Sequence, residues 1–364
     1  MLGSAHDRQG YAPRIVPPPE VLSASSARDL LGAARRGARE VLGTLDGAPM
    51  LVVGLGRSDD LPLEVPARLP CVVVAMSRRP PRGPAPPGAD LALCPSSAGE
   101  TPPGWVAVPD VDDEVGRLAR QVDAQPHAAV VLAQLLRTSA GLEPGAALVA
   151  ESLAYSVLQS GPAFARWLAE RRRTAPADRV EVGDTVLVAR AGNRLRLTLH
   201  RPHVRNALNG VMRDALAEAL SMVATDPSLE GLDLHGSGPD FSSGGDLGEF
   251  GSLPDPATAH LVRTARSPAG LLATVADRVT VHLHGACVGA GIELAAFAGR
   301  VVAAPDTRVQ LPEVGLGLVP GSGGTVSIPR RVGRHRTAWL AIGGAVLDVV
   351  VAARWGLVDA VADG

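Results

Sequence analysis

The sequence of 364 residues contains no lysine, so all positive charge other than that of histidine comes from arginine. A Walker A loop needs a lysine and is therefore excluded, and any phosphate contact must use arginine, histidine or backbone N–H groups. The net charge is −2, with no basic excess that would attract nucleic acid or an anionic membrane. Neither is predicted as a partner.

Long apolar runs and cysteines are also scarce. The sequence has no uninterrupted apolar span of ~20 residues and no basic-then-apolar signal pattern at its N-terminus, which predicts a cytoplasmic protein. Cys71, Cys94 and Cys287 lie in apolar segments without metal-ligand spacing. They are therefore predicted to be buried free thiols, and no metal site is predicted. A nucleophilic role for Cys287, which lies in a Gly-rich turn, is the alternative.

Length and composition favour two domains, because a chain of 364 residues, of which 46% are hydrophobic, is long enough to form more than one buried core. Residues 1–22 are Pro-rich and predicted to be disordered. Residues 23–173 combine short β-like runs with a series of helices. A polar linker is predicted at 174–183, and strand–helix units in 184–364 predict an α/β fold with crossover connections.

The stretch 281–324 contains two carboxylates beside Gly-rich turns. Glu293 lies in an otherwise apolar helix, and Glu313 lies between a strand and a glycine loop. Burial would raise the pKa of such carboxyls, so an acid–base pair is one interpretation. The alternative interpretation is that Glu293 is a solvated helix residue and that Glu313 is a loop carboxylate that caps a nearby helix. The turns Ser242–Asp246 and Gly285–Gly291 each precede a helix, where free N–H groups can bind phosphate or an oxyanion.

Five ordered motifs over residues 184–360 resemble those of the crotonase superfamily, the enoyl-CoA hydratases and isomerases. They are LHRPHVRNALN at 199–209, FSSGGDL at 241–247, HGACVGAGIEL at 284–294, LPEVGLGLVPGSGGT at 311–325 and GLVD at 356–359. The resemblance implies an α/β fold with a crotonase-like ββα-superhelix core. It also implies an acyl-CoA thioester as substrate, with coenzyme A as part of that substrate and no separate cofactor.

The resemblance further implies a role for each matching residue. The N–H groups of Ser243 and Ala290 would hold the thioester oxygen. Glu293 and Glu313 would share a water, which the N–H of Gly321 would steady. The implied substrate-binding residues are Arg205, Ala207, Gly244, Gly245 and Asp246. Retention of both acids favours an enoyl-CoA hydratase-like lyase.

Several other functions stay open. The fold is compatible with an isomerase, decarboxylase, thioesterase or oxygenase, and with a non-catalytic scaffold subunit. Two departures from the family pattern are His284 in place of Asn and Ala290 in place of Gly. His282 and His284 are predicted to be core histidines.

The last departure concerns the helices that normally follow GLVD, cover the acyl pocket and build a trimer. Similar helices occur upstream, within 111–173. We therefore expect a degenerate crotonase half fused ahead of the catalytic half, with the upstream helices replacing the tail. A homo-oligomer, trimer or hexamer, is implied by the resemblance.

Overall fold

The computed structural model describes residues 19–36, 42, 48–56, 63–96, 101–174 and 183–362. Most of the predicted disordered N-terminus and of the predicted linker lies outside these residues. Residues 21 and 22, predicted to be disordered, instead belong to a strand, because they pair with a buried neighbour. Within the described ranges, no helix is long and apolar enough to cross a membrane.

The first half of the chain (residues 19–174, the N-terminal half) begins with a five-stranded parallel sheet. Its strands are β1 (Val21–Ser23), β2 (Met50–Gly54), β3 (Val72–Met76), β4 (Leu91–Pro95) and β5 (Trp105–Val108), with helix α1 (Ala24–Arg36) after β1. Strand β3 is buried along its whole length. Such continuous apolar strands are typical of parallel sheets covered on both faces.

Four helices follow β5: α2 (Val111–Ala124), α3 (Pro126–Ser139), α4 (Pro144–Gln159) and α5 (Pro162–Thr174). Their starts follow from local chemistry. The Asp110 side chain caps α2 by accepting the N–H of Asp113 at 2.9 Å. Prolines begin the other three helices, where a missing N–H costs nothing. The four helices agree with the series of helices predicted for this part of the chain.

The remainder (residues 183–362, the C-terminal half) is built on a six-stranded sheet in the order β14-β11-β9-β8-β7-β6 and a three-stranded sheet in the order β10-β12-β13. The strands are β6 (Val186–Ala191), β7 (Arg194–Leu199), β8 (Gly231–Gly236), β9 (Val279–Leu283), β10 (Ala286–Val288), β11 (Arg300–Ala303), β12 (Arg308–Gln310), β13 (Leu347–Asp348) and β14 (Ala360–Val361). Strands β6 and β7 form an antiparallel hairpin.

Seven helices complete this half: α6 (Gly210–Thr225), α7 (Pro256–Ala265), α8 (Pro268–Val275), α9 (Ala290–Ala295), α10 (Gly324–Val332), α11 (Arg334–Gly343) and α12 (Val349–Trp355). Asn209 caps α6, its side chain accepting the N–H of Met212 at 2.9 Å. Short α9 and α10 each begin directly after a glycine turn.

The two halves share one strand order. Strands β1 to β5 lie side by side in chain order, all parallel, and β7, β8, β9, β11 and β14 do the same. This agreement supports the hypothesis that the N-terminal half is a degenerate copy of the core. The domain boundaries stay a prediction.

A common hydrophobic core joins the halves, with Leu132 and Leu136 of α3 in the same cluster as Leu340 and Ile342 of α11. Polar contacts cross the same boundary. Arg117 of α2 donates to the Gly343 carbonyl at 2.6 Å.

We expect residues 174–364, expressed alone, to be insoluble or inactive, because removing the N-terminal half would expose the apolar faces of α10 and α11 to water. Solubility and thermal unfolding, compared with the full chain, check this. A soluble fragment with the full chain's thioester activity would contradict the fused-half hypothesis.

Candidate active site

Two glycine turns meet in the C-terminal half and form one wall of the site. The Ser242 N–H donates to the Ala286 carbonyl at 3.1 Å, and the Val288 N–H donates to the Ser242 carbonyl at 2.9 Å. A Cβ at Gly244, whose φ is +93°, would lie 2.9 Å from the Val288 carbonyl oxygen. The close approach therefore requires glycine there.

One residue of each turn, Gly245 and Ala290, lines a cavity of about 870 Å³. Among the described residues, the backbone N–H of neither donates to another protein group. Ala290 is the first residue of α9, where N–H groups have no partner within the helix. Together these N–H groups could hold an oxyanion.

The structure contradicts the role predicted for Ser243. Its N–H donates to the Arg205 carbonyl at 2.8 Å, and the residue is not part of the cavity lining. Arg205 and Asn206 both adopt left-handed backbone conformations, with φ of 53° and 52°, which turns this carbonyl toward the FSSGGDL loop. The donor that faces the cavity in this loop is Gly245, two residues later.

Glu293 lies in the first turn of α9 with 1% of its surface exposed. Its Oε2 accepts the N–H groups of Ser322 and Gly324 at 2.7 and 2.9 Å. Both donors belong to the glycine loop that starts α10. The loop therefore fixes one oxygen of the carboxyl group.

Glu313 begins a 3-10 turn (Glu313–Leu316) and is 8% exposed. Its Oε2 is buried and has no hydrogen-bond partner in the described part of the chain. A Cβ built on Gly289 would lie 2.3 Å from Glu313 Oε1 and 3.8 Å from Glu293 Oε1. The two acids therefore converge on one glycine, and any side chain there would displace them.

Burial raises the pKa of both carboxyl groups. Desolvation raises that of Glu313 to about 8, and the nearby Glu151 charge adds to the effect. Desolvation raises the pKa of Glu293 well above its usual value, followed by repulsion from Glu313 and Glu151. Because Glu293 is buried, the alternative that it is a solvated helix residue is wrong.

Helix α4 of the N-terminal half contributes residues that the sequence reasoning missed. Tyr155 lines the cavity, and its ring lies against Gly321, where a Cβ would be 2.4 Å from Tyr155 Cδ2. Glu151 is 2% exposed and contacts the glycine loop. A carboxylate in an apolar helix was the signal that singled out Glu293, and the same signal was present at Glu151.

The remaining predicted site residues divide into two groups. Gly321, Gly245 and Asp246 line the cavity. Ala207 and Gly244 do not, and Arg205 is exposed and lies 3.4 Å from Asp240.

The cysteines and histidines do not join the site. Cys71, Cys94 and Cys287 are buried free thiols, as predicted. Burial raises the pKa of Cys287 and so disfavours its thiolate. His282 and His284 are only half-buried, contrary to prediction, because His282 lies on the less buried face of β9, opposite to Leu283, and His284 follows the end of the strand.

The fold and the site define a class: an α/β protein whose cavity combines two backbone N–H donors with a pair of buried carboxyl groups. Residues 191–363 match the family model described as enoyl-CoA hydratase/isomerase. Among its relatives is 2,3-dehydroadipyl-CoA hydratase of Escherichia coli (strain K12), 35% identical over 177 residues, or 48% of this chain and 68% of that protein.

Another relative, 1,2-epoxyphenylacetyl-CoA isomerase of Escherichia coli (strain K12), is 34% identical over 46% of this chain and 66% of its own length. The crystal structure of enoyl-CoA hydratase from Thermoplasma volcanium GSS1 is 32% identical, with a TM-score of 0.45 over 50% of this chain and 73% of that one. The chain belongs to the enoyl-CoA hydratase/isomerase family. The predicted resemblance and fold class are thereby confirmed.

The raised pKa of Glu313 makes stability depend on pH. In the folded protein, the Glu313 carboxyl group keeps its proton up to about pH 8. In the unfolded chain, with the usual pKa of 4.5, it loses the proton at lower pH. The stabilisation that the raised pKa gives the folded state is therefore fully present below the usual pKa of 4.5, and it is lost as pH rises through the raised pKa of about 8. Gln is neutral throughout, so we expect Glu313→Gln to lose less stability than wild type between about pH 5 and about pH 8.

Thermal unfolding across this pH range checks the expectation. Glu218→Gln, at an exposed position on α6, is the matched control and should follow the wild type. Parallel curves for Glu313→Gln and wild type would show that Glu313 does not retain its proton.

Proposed function

We propose that this protein is an enoyl-CoA hydratase-like lyase, which adds water to an α,β-unsaturated acyl-CoA or removes it. The observation that carries the proposal is the convergence of Glu293 and Glu313 on Gly289, inside a cavity that also presents two unoccupied N–H groups. Hydration needs a base for water, an acid for the α-carbon and a donor set for the carbonyl oxygen. The cavity has all three.

In the proposed reaction, the thioester oxygen accepts the N–H groups of Gly245 and Ala290. Loss of one such donor typically costs about 3–4 kcal/mol of transition-state stabilisation. As water attacks the β-carbon, electron density moves to this oxygen and gives an enolate. The N–H donors stabilise that negative charge.

The two glutamates manage the protons. The ionised member of the pair takes a proton from the attacking water, whose oxygen bonds to the β-carbon. The protonated member gives its proton to the α-carbon as the enolate returns to the thioester. Repulsion from Glu313 adds to burial in raising the pKa of Glu293, which disfavours the state in which both acids are ionised and suits a step that needs one shared proton. The N–H of Gly321 lines the same cavity and can hold the water.

The family includes other reactions, and the same cavity is compatible with an isomerase, a decarboxylase, a thioesterase or an oxygenase. The presence of both acids supports hydration, because a double-bond shift needs only one group to carry a proton between carbons. A non-catalytic scaffold would bind the thioester without turnover. A panel of acyl-CoA thioesters separates these functions.

We expect Glu293→Gln and Glu313→Gln each to lower kcat for hydration of crotonyl-CoA by about 10²–10⁴-fold, because Gln cannot transfer the proton. Loss of absorbance of the conjugated thioester measures the rate. Glu218→Gln is the control and should retain wild-type activity. Wild-type activity in both active-site variants would contradict the acid–base assignment, and thioester binding without turnover by the wild type would support the scaffold.

We also propose a homo-oligomer. Val149, Leu153 and Val157 form an exposed apolar stripe on α4, and Leu261 of neighbouring α7 is 65% exposed. An apolar surface of this kind is typical of an interface between subunits. Light scattering on the purified protein measures the number of chains, and a monomer at micromolar concentration would contradict the proposal.

A further inference from the structure

We propose that Glu151, on helix α4 of the N-terminal half, is a positioning residue for Glu293. It shares the N–H groups at the start of α10 with Glu293 and thereby fixes the loop that holds the acid. The catalytic consequence of this arrangement rests on the proposed function, whereas the arrangement itself does not.

The observation is that the N–H groups of four consecutive residues donate alternately to Glu293 and to Glu151. The N–H groups of Ser322 and Gly324 donate to Glu293 Oε2 at 2.7 and 2.9 Å. Those of Gly323 and Thr325 donate to Glu151 Oε1 and Oε2, also at 2.7 and 2.9 Å. The Thr325 hydroxyl adds a bond of 2.7 Å to Glu151 Oε2. Every N–H of the segment is therefore used.

The physical reason lies in the start of a helix. The first N–H groups of α10 have no partner within the helix, and the helix dipole favours negative charge at this end. One carboxylate cannot receive four N–H groups that point alternately to two sides. Glu151 takes one side, so the peptide planes are held in the orientation that aims the other side at Glu293.

Both oxygens of Glu151 are occupied, which excludes it as the group that transfers protons. Its charge nevertheless acts on the pair. The titratable groups that face it are Glu293 on α9, Glu313 in the 3-10 turn, Arg263 on α7 and Tyr155 one turn further along α4. Repulsion from Glu151 raises the pKa of both acids, after the larger effect of burial.

Glu151→Gln tests the proposal. Gln has the same shape but one acceptor oxygen fewer. Its amide NH2 group would face a backbone N–H, and because both are donors the loop would shift. We expect kcat for crotonyl-CoA to fall by on the order of tenfold to a hundredfold, because small misplacements of catalytic groups are costly. KM should change by no more than about threefold, since thioester binding is untouched.

A pH profile separates positioning from mere structural support. Removing the Glu151 charge lowers the pKa of Glu293 and Glu313, so the ionisations seen in kcat/KM should move to lower pH. Glu143→Gln, at the exposed start of the same helix, is the matched control and should leave rate and profile unchanged. A rate and profile like the control's would overturn the proposal.

Thr325→Val keeps the test decisive if Glu151→Gln does not fold. It removes only the hydroxyl bond to Glu151, which raises the pKa of Glu151 and reduces its negative charge. The ionisations seen in kcat/KM should again move to lower pH, but by less than in Glu151→Gln. An unchanged profile in this variant would also overturn the proposal.

The infrared band of protonated carboxyl groups gives a readout without substrate. Its titration in the wild type, assigned through Glu293→Gln, should shift to lower pH in Glu151→Gln. If the wild type hydrates no thioester, the proposed function fails, but this titration still decides whether Glu151 acts on Glu293. An unshifted band would overturn the positioning role.

Discussion

The site depends on two carboxylates that share the N–H groups at the start of one helix. Glu293 comes from the short helix beside the glycine turn, and Glu151 comes from the other half of the chain. Each receives alternate N–H groups of residues 322–325. Because both charges are buried, neither would be stable without these donors. The requirement explains why the loop consists of glycines and small residues, which leave the backbone accessible.

The same burial gives the acid pair its chemistry. Glu293 and Glu313 are both buried, so their charged forms lose solvation and the pKa of each carboxyl group rises. A low-dielectric setting would also strengthen the action that we propose for the Gly245 and Ala290 N–H groups on a developing negative charge. Burial would therefore serve both the acids and the proposed oxyanion donors.

The N-terminal half acts in this site through its helices rather than its sheet. Its five strands repeat the order of the C-terminal sheet, whereas α4 contacts the glycine loop and lines the cavity through Tyr155. These observations fit the hypothesis that one half has kept its fold and supplies the cover for the other. In such a fused pair, the covalent linkage between the halves would keep the covering helices at the site. Separate subunits would have to associate to keep them there.

The sequence by itself determined the features that depend on neighbours along the chain. The series of helices, the short strands, the glycine turns and the two acids in 281–324 could all be predicted, because periodicity and motif spacing are local. Tertiary structure alone decided which N–H groups remain free. The Ser243 N–H is occupied by the carbonyl of Arg205, and the role of Glu151 arises where α4 meets α10. Hydrogen bonds between distant segments settle both points, since a donor is available only if no folded neighbour has already taken it.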